Sequence, residues 1–213
     1  MTILSAQKLA IGYGKHTVLH SFSATLAVGQ LVALIGRNGT GKTTLLRTLA
    51  GLQKPHSGEV WLQGLPIQSY SAQARAQLLA YVSTERLTLE YFTVLEVLQT
   101  GRHPHTNWYN QLSSGEHDLV QAVAKQLDIV HLLPKTLHHL SDGERQKVMI
   151  ARALVQDTPL LLLDEPTAHL DWQARREVFE LLRSINKTTQ KTMLIATHEL
   201  DLAEMIADAT WRV

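Results

Sequence analysis

The chain has 213 residues, 45% of them apolar and 18% charged, which suits one sizeable core with a small subdomain attached and excludes both disorder and two full independent domains. A formal net charge of +1 without a long Lys/Arg block gives no electrostatic footprint for nucleic acid or an anionic membrane surface. The absence of cysteine excludes disulfides, thiolate metal sites and thiol nucleophiles and agrees with a reducing compartment, and the opening Met1 to Gly14 lacks the basic and apolar runs of a secretory signal.

In chain order, alternating apolar residues predict strands at Ile3 to Leu9 and Val18 to Ala27, with turns at Gly12/Gly14 and Gly29-Gln30, so an antiparallel start is expected. Leu31 to Ile35 is continuously apolar and short, as expected of a strand buried on both faces of a parallel sheet. A helix is expected over Thr43 to Ala50. From Ser71 to His139 the pattern becomes mostly helical, at Ser71 to Ala80, Thr93 to Thr100 and Glu116 to Leu127, and predicts an inserted helical subdomain. Beyond it come helices at Arg145 to Val155, Trp172 to Ile185 and Leu200 to Ala207, alternating with two more buried strands, Leu160 to Leu163 and Met193 to Ala196. The class is α/β, without internal repeats or heptads.

Chemistry gathers where the buried strands end. Gly36-Arg37-Asn38-Gly39-Thr40-Gly41-Lys42-Thr43, followed by Thr44, is a complete Walker A sequence between a strand and a helix. Its glycines let backbone N–H groups point inward on a polyphosphate, Lys42 would reach the terminal phosphates, and the Thr43 hydroxyl would ligate Mg2+. A bland reading, a glycine-rich loop before a capped helix, loses ground because strand and helix flank the sequence. Leu160 to Leu163 ends in Asp164 and Glu165, adjacent carboxylates that point in different directions. Asp164 suits the Mg2+ shell and Glu165 the orientation or deprotonation of an attacking water. Alone, a Leu-rich strand ending in acids is commonplace; beside a Walker A sequence it carries weight.

Leu140-Ser141-Asp142-Gly143-Glu144-Arg145-Gln146-Lys147 opens a helix about twenty residues before those carboxylates and resembles the ABC signature usually written LSGGQ. Ser141 with Glu144 is also a capping box, and both readings can hold. Leu112-Ser113-Ser-Gly-Glu116 is a second match, rejected as a signature because of its position and read as a helix cap. His198, after the third buried strand, matches the family's γ-phosphate switch histidine, Ala168 to Asp171 resembles its D-loop, and Tyr13 falls where its members stack an aromatic ring on adenine. The plainer alternative for Tyr13 is a turn tyrosine in Gly-Tyr-Gly.

The resemblance spans nearly the whole chain in the expected order. It implies a P-loop NTPase core with a mainly parallel sheet, an N-terminal antiparallel subdomain and the helical insert at about 71–139. It also implies ATP and Mg2+ as cofactors, a homodimer that sandwiches ATP between Lys42 of one copy and Ser141 to Glu144 of the other, and a transmembrane permease dimer as partner. A periplasmic or surface binding protein would act indirectly, nucleic acid would not take part, and the location would be the cytoplasmic face of the membrane. The stretch Phe92 to Trp108, with Gly101-Arg102-His103-Pro104-His105, resembles importer ATPases for iron chelates, haem or cobalamin. The histidines at 103, 105, 138 and 139 match no helical metal-pair spacing and read as loop residues.

Three departures stand out. No Gln follows Tyr81-Val-Ser in the Q-loop position, leaving Glu85 as the candidate equivalent, catalytic or Mg2+-directed, and Thr84 as the alternative. Asp142 and Glu144 bring acids to a signature that normally has Gly and Gln there. Thr210-Trp-Arg-Val213 ends the chain as another strand begins, which fits either a shortened chain or a compact subfamily member. A soluble ABC ATPase of iron–sulfur cluster assembly is the alternative of similar size, and a P-loop kinase is a further rival that leaves Ser141 to Gln146 unexplained.

Overall fold

The computed structural model describes residues 1–84, 91–106 and 113–213. Two sheets organise it. The first is antiparallel, formed by β1 (Thr2–Tyr13), β2 (His16–Ala27), β4 (Ser57–Leu62) and β5 (Leu65–Pro66) in the order β2-β1-β4-β5. The second is parallel and runs β6 (Leu79–Val82), β7 (Leu160–Asp164), β8 (Thr192–Thr197), β3 (Leu31–Ile35) and β9 (Ala209–Arg212) in the order β6-β7-β8-β3-β9.

Every residue of β3, β7 and β8 is buried, because both faces of the parallel sheet are covered. The pleat divides their side chains by alternation. Leu31, Leu161, Leu163, Met193 and Ile195 face a core shared with α3 (Val94–Thr100), α4 (Ser114–Gln126), α5 (Asp142–Val155) and α6 (Trp172–Thr189). Val32, Leu34, Leu160, Leu162 and Leu194 face a second core with α1 (Lys42–Leu49) and the antiparallel sheet. Register sets the site: Asp164 and Leu34 both lie opposite Ala196, and Ile35 lies opposite Thr197, so β7, β8 and β3 end level with one another. The crevice beyond the carboxyl ends of such strands is where open α/β sheets bind ligands.

The expectation of one helix over Ser71 to Ala80 is corrected. Only α2 (Ala72–Ala76) forms, capped by Ser71, and the chain then enters β6. Gln156, just past α5, donates through Nε2 to the carbonyls of Ala76 at 2.6 Å and Leu79 at 3.0 Å, so tertiary hydrogen bonding draws this stretch into the sheet against its helical composition. The strand sensed at Thr210 is β9, paired with β3. The last helix, α7 (Leu200–Ile206), packs Leu202, Ala203 and Ile206 inward. No helix among the described residues is long and apolar enough to cross a membrane.

Candidate functional site

The loop after β3 bends through Gly39 and Gly41, whose φ values of 84° and 98° lie in the left-handed region that glycine enters without strain. Gly36 is fixed for another reason: a Cβ there would stand 2.6 Å from Thr40 Oγ1 and 2.7 Å from the Val213 carbonyl. Gly41 caps α1 with no side-chain hydrogen bond, and α1 has no acid in its first turn. The first-turn N–H groups and the positive end of the helix dipole therefore face the cleft.

Three strand ends converge on Lys42. This buried lysine donates through Nζ to the carbonyls of Gly36 at 2.8 Å and Arg37 at 3.1 Å. The same ammonium lies 3.1 Å from Glu165 Oε1, yet that buried oxygen accepts no hydrogen bond among the described residues. The other oxygen, Glu165 Oε2, accepts from His198 Nδ1 at 2.9 Å. Glu165 itself has φ of 46°, and its N–H donates to Ala196 at 2.9 Å, so a left-handed residue pinned across β8 turns the carboxylate away from the strand's regular alternation.

Asp164 is almost fully buried, at 1% exposure, and is held from three sides. Its Oδ1 accepts from the Thr43 hydroxyl at 3.1 Å, its Oδ2 from the Tyr81 hydroxyl at 3.1 Å, and its main-chain carbonyl from Thr84 Oγ1 at 2.9 Å. Burial pushes the Asp164 carboxyl above its ordinary value, and the neighbouring Glu165 charge adds to this, against the two hydroxyls and Lys42. Hard oxygen donors, two mutually repelling carboxylates and a buried Glu165 oxygen that accepts no hydrogen bond among the described residues fit a magnesium ion and the oxygens around it. The cleft, about 500 Å3, is lined by Tyr13, Asn38, Lys42, Thr43, Thr84 and Glu165 among others. Tyr13 is 57% exposed at its mouth, and its hydroxyl accepts from Thr44 Oγ1 at 3.2 Å.

The stretch that resembles a signature has its own cleft. Ser141 and Glu144 form the capping box of α5, with Glu144 Oε2 accepting from the Ser141 N–H at 2.9 Å, and that backbone bond lowers the Glu144 carboxyl below its ordinary value despite burial. Ser141 to Glu144 line a separate cleft of about 490 Å3 with His169, Asp171 and Lys147, and none of them lines the Lys42 cleft of the same chain. Ser113 and Glu116 make the same box on α4, as do Thr93 and Glu96 on α3, so the box alone identifies a helix start and nothing more. Asp171 also caps, accepting from the Ala174 N–H at 2.8 Å to start α6.

Glu85 and Trp108 lie outside the described residues, as does Leu112 of the rejected second match. Arg102 donates through Nη1 to the Val155 carbonyl at 2.8 Å, closing the end of α5, and its Nε lies 3.7 Å from Glu116. His105 hydrogen-bonds the Gln156 carbonyl at 2.8 Å, and His139 Nδ1 meets Thr136 Oγ1 at 2.7 Å. The sequence reading missed Tyr81, Glu199 and Arg175. Glu199, the residue after His198, was within its reach; Tyr81 and Arg175 meet the site only through sheet register and helix packing.

Residues 19–168 match the family described as ABC transporter. The petrobactin import ATP-binding protein of Bacillus anthracis is 36% identical over 205 residues, covering 96% of this chain and 75% of that protein. The ferric enterobactin transport ATP-binding protein of Escherichia coli K12 is 36% identical over 200 residues, covering 94% and 74% respectively. Among solved structures, cbiO1 from Clostridium perfringens, part of the ABC transporter complex cbiONQ, superposes with a TM-score of 0.87 at 30% identity, covering 99% of this chain and 84% of that one. With a glycine-lined lysine, two strand-end carboxylates and a histidine on the second of them, the chain belongs to the ABC transporter family.

Proposed function

We propose that the chain is the ATP-binding and ATP-hydrolysing subunit of an importer that takes up an iron chelate, haem or cobalamin through a membrane permease. The level ends of β7, β8 and β3, which bring Asp164, Glu165 and His198 to Lys42, carry the ATPase part of this reading, and the petrobactin and ferric enterobactin relatives support the importer and its cargo. The loop 36–41 and the start of α1 bind the ATP phosphates through N–H groups, Lys42 shifts its ammonium onto the terminal phosphates, and Tyr13 stacks on adenine. Thr43 and Asp164 would hold Mg2+, which supplies charge neutralisation on the β- and γ-phosphate oxygens. Glu165 Oε1, buried and without a hydrogen bond, orients the attacking water and draws on its proton, while His198 fixes Oε2 and contacts the γ-phosphate.

Because Ser141, Gly143 and Glu144 do not border the Lys42 cleft of their own chain, while Asp142 borders a neighbouring pocket shared with Thr84 and Glu165, a second copy supplies the α5 start to complete the site. The α5 N-terminus then meets the γ-phosphate with the positive end of its helix dipole, in the presence of the acids Asp142 and Glu144. Closure of the two copies shifts the attached permease between its two openings by differential contacts. The chain thus sits at the cytoplasmic face of the membrane, with Glu85 or Thr84 taking the Q-loop position. The test is twofold: the purified chain should release phosphate from ATP, and tagged chain expressed in its own cells should co-purify with a membrane permease. Phosphate release with soluble partners alone would contradict the importer reading and favour the cluster-assembly alternative.

A further inference from the structure

Helix α6 carries a guanidinium that touches both loops flanking Glu165. Arg175 lies in the first turn of α6; its Nε donates to the Leu170 carbonyl at 2.7 Å, and its Nη1 pairs with Glu199 Oε1. That same Glu199 oxygen is 3.5 Å from His198 Nε2, and His198 Nδ1 donates to Glu165 Oε2 at 2.9 Å. Arg175, Glu199, His198, Glu165 and Lys42 thereby form one continuous chain of side-chain contacts ending at the loop 36–41.

The energy of the outer pair is not what makes it notable. The Arg175 side chain is 33% exposed, and an ion pair so placed adds little to stability. Its geometry is specific: a planar fork serves a main-chain carbonyl and a carboxylate together, which a single ammonium does less well. Glu199 is fixed at its base by its own N–H, which donates to the buried Thr197 hydroxyl at 3.0 Å. With Arg175 removed, the carboxylate of Glu199 keeps the His198 ring, 3.5 Å away at Nε2, as its side-chain partner among the described residues, and a pull on that nitrogen competes with the His198 to Glu165 hydrogen bond for the orientation of the ring.

We propose that Arg175 is a positioning residue for hydrolysis: through Glu199 it keeps His198 on Glu165, and through the Leu170 carbonyl it ties that arrangement to the loop 168–171. This rests on the reading of Glu165 and His198 as the hydrolytic pair. The test uses the full chain with 15N-labelled histidine, following the ring nitrogens of His198 by NMR and assigning them by their loss in His198→Gln. Arg175→Ala should move the His198 resonances, and adding Glu199→Gln should return the spectrum of Glu199→Gln alone, because the arginine acts through that carboxylate. In parallel, Arg175→Ala should lower kcat about tenfold with KM for ATP changed less than about twofold, and Arg175→Lys should fall between. Should Arg175→Ala fold poorly, Arg175→Gln keeps bulk and a donor and reads the same signals.

Unmoved His198 resonances in a folded variant overturn the proposal, as does a wild-type kcat in a variant whose resonances have moved. Wild-type phosphate release by Glu165→Gln would instead sink the hydrolytic reading while leaving the NMR result to stand by itself.

Discussion

Tyr81→Phe removes one oxygen and leaves the ring in place, which makes it a clean probe of the buried carboxylate. Asp164 is 1% exposed and its Oδ2 accepts from the Tyr81 hydroxyl at 3.1 Å. A hydrogen bond to a charged group contributes about 1.5–3 kcal/mol, and for a chain of this size each kcal/mol moves the melting temperature by about 2–4 °C. The variant should therefore melt roughly 3–12 °C lower at pH 7. The sign of the pH dependence follows from burial, which raises the folded carboxyl above the ordinary 3.8. A raised carboxyl binds its proton more tightly when folded, so its contribution is most favourable below the unfolded value and is lost as pH rises through the folded one. Removing the hydroxyl raises the carboxyl further, so the deficit of Tyr81→Phe should be largest at neutral pH and shrink on acidification. Thermal melts of both proteins across pH measure this. A variant melting within about 1 °C of wild type at pH 7, or a deficit independent of pH, would refute the idea that Tyr81 supports an ionised Asp164.

Ser113→Ala and Ser141→Ala break equivalent capping boxes, so each should cost about 1 kcal/mol in thermal melts. Only Ser141→Ala should also lower the ATPase rate per folded molecule; equal activity losses would return the α4 box to consideration as a site. Asp208 accepts from the Leu31 N–H at 2.8 Å and pairs with Arg183 at 2.8 Å. Burial pushes its carboxyl up, but these partners outweigh it and hold the group below the ordinary value. A lowered carboxyl stabilises the fold above its unfolded value and loses that contribution as pH falls through the folded one. Asp208→Asn should accordingly melt below wild type at pH 7, with the two curves meeting in acid; parallel curves would contradict the assignment.

Much of the site was legible because its chemistry is local in sequence. Gly36 to Thr43 carries the whole of the proposed phosphate loop within eight residues, and Leu160 to Glu165 carries both the buried strand and the carboxylates that end it. The apolar runs of β3, β7 and β8 read correctly because strands covered on both faces need no alternation. What escaped is non-local. β6 hides in an Ala-rich stretch whose helical composition is overridden by the sheet edge and by Gln156, 77 residues away from Leu79. Tyr81 reaches Asp164 across 83 residues, and Arg175 reaches Glu199 across 24, by register and helix packing that no window of sequence contains. The Gly-Arg-His-Pro stretch, read as a mark of the cargo family, turns out to carry structural duty too: Arg102 closes α5 at Val155.

In the proposed mechanism Glu165, presented by β7 and held by His198, activates water against an ATP phosphate gripped near Lys42. The most direct measurement is single-turnover phosphate release from Mg-ATP by Glu165→Gln, with nucleotide affinity measured on the same sample. Binding should be retained and release slowed by about two to four orders of magnitude, because the amide keeps shape and hydrogen bonding but cannot take the proton. Release at the wild-type rate would contradict the role given to Glu165 and, with it, the mechanism.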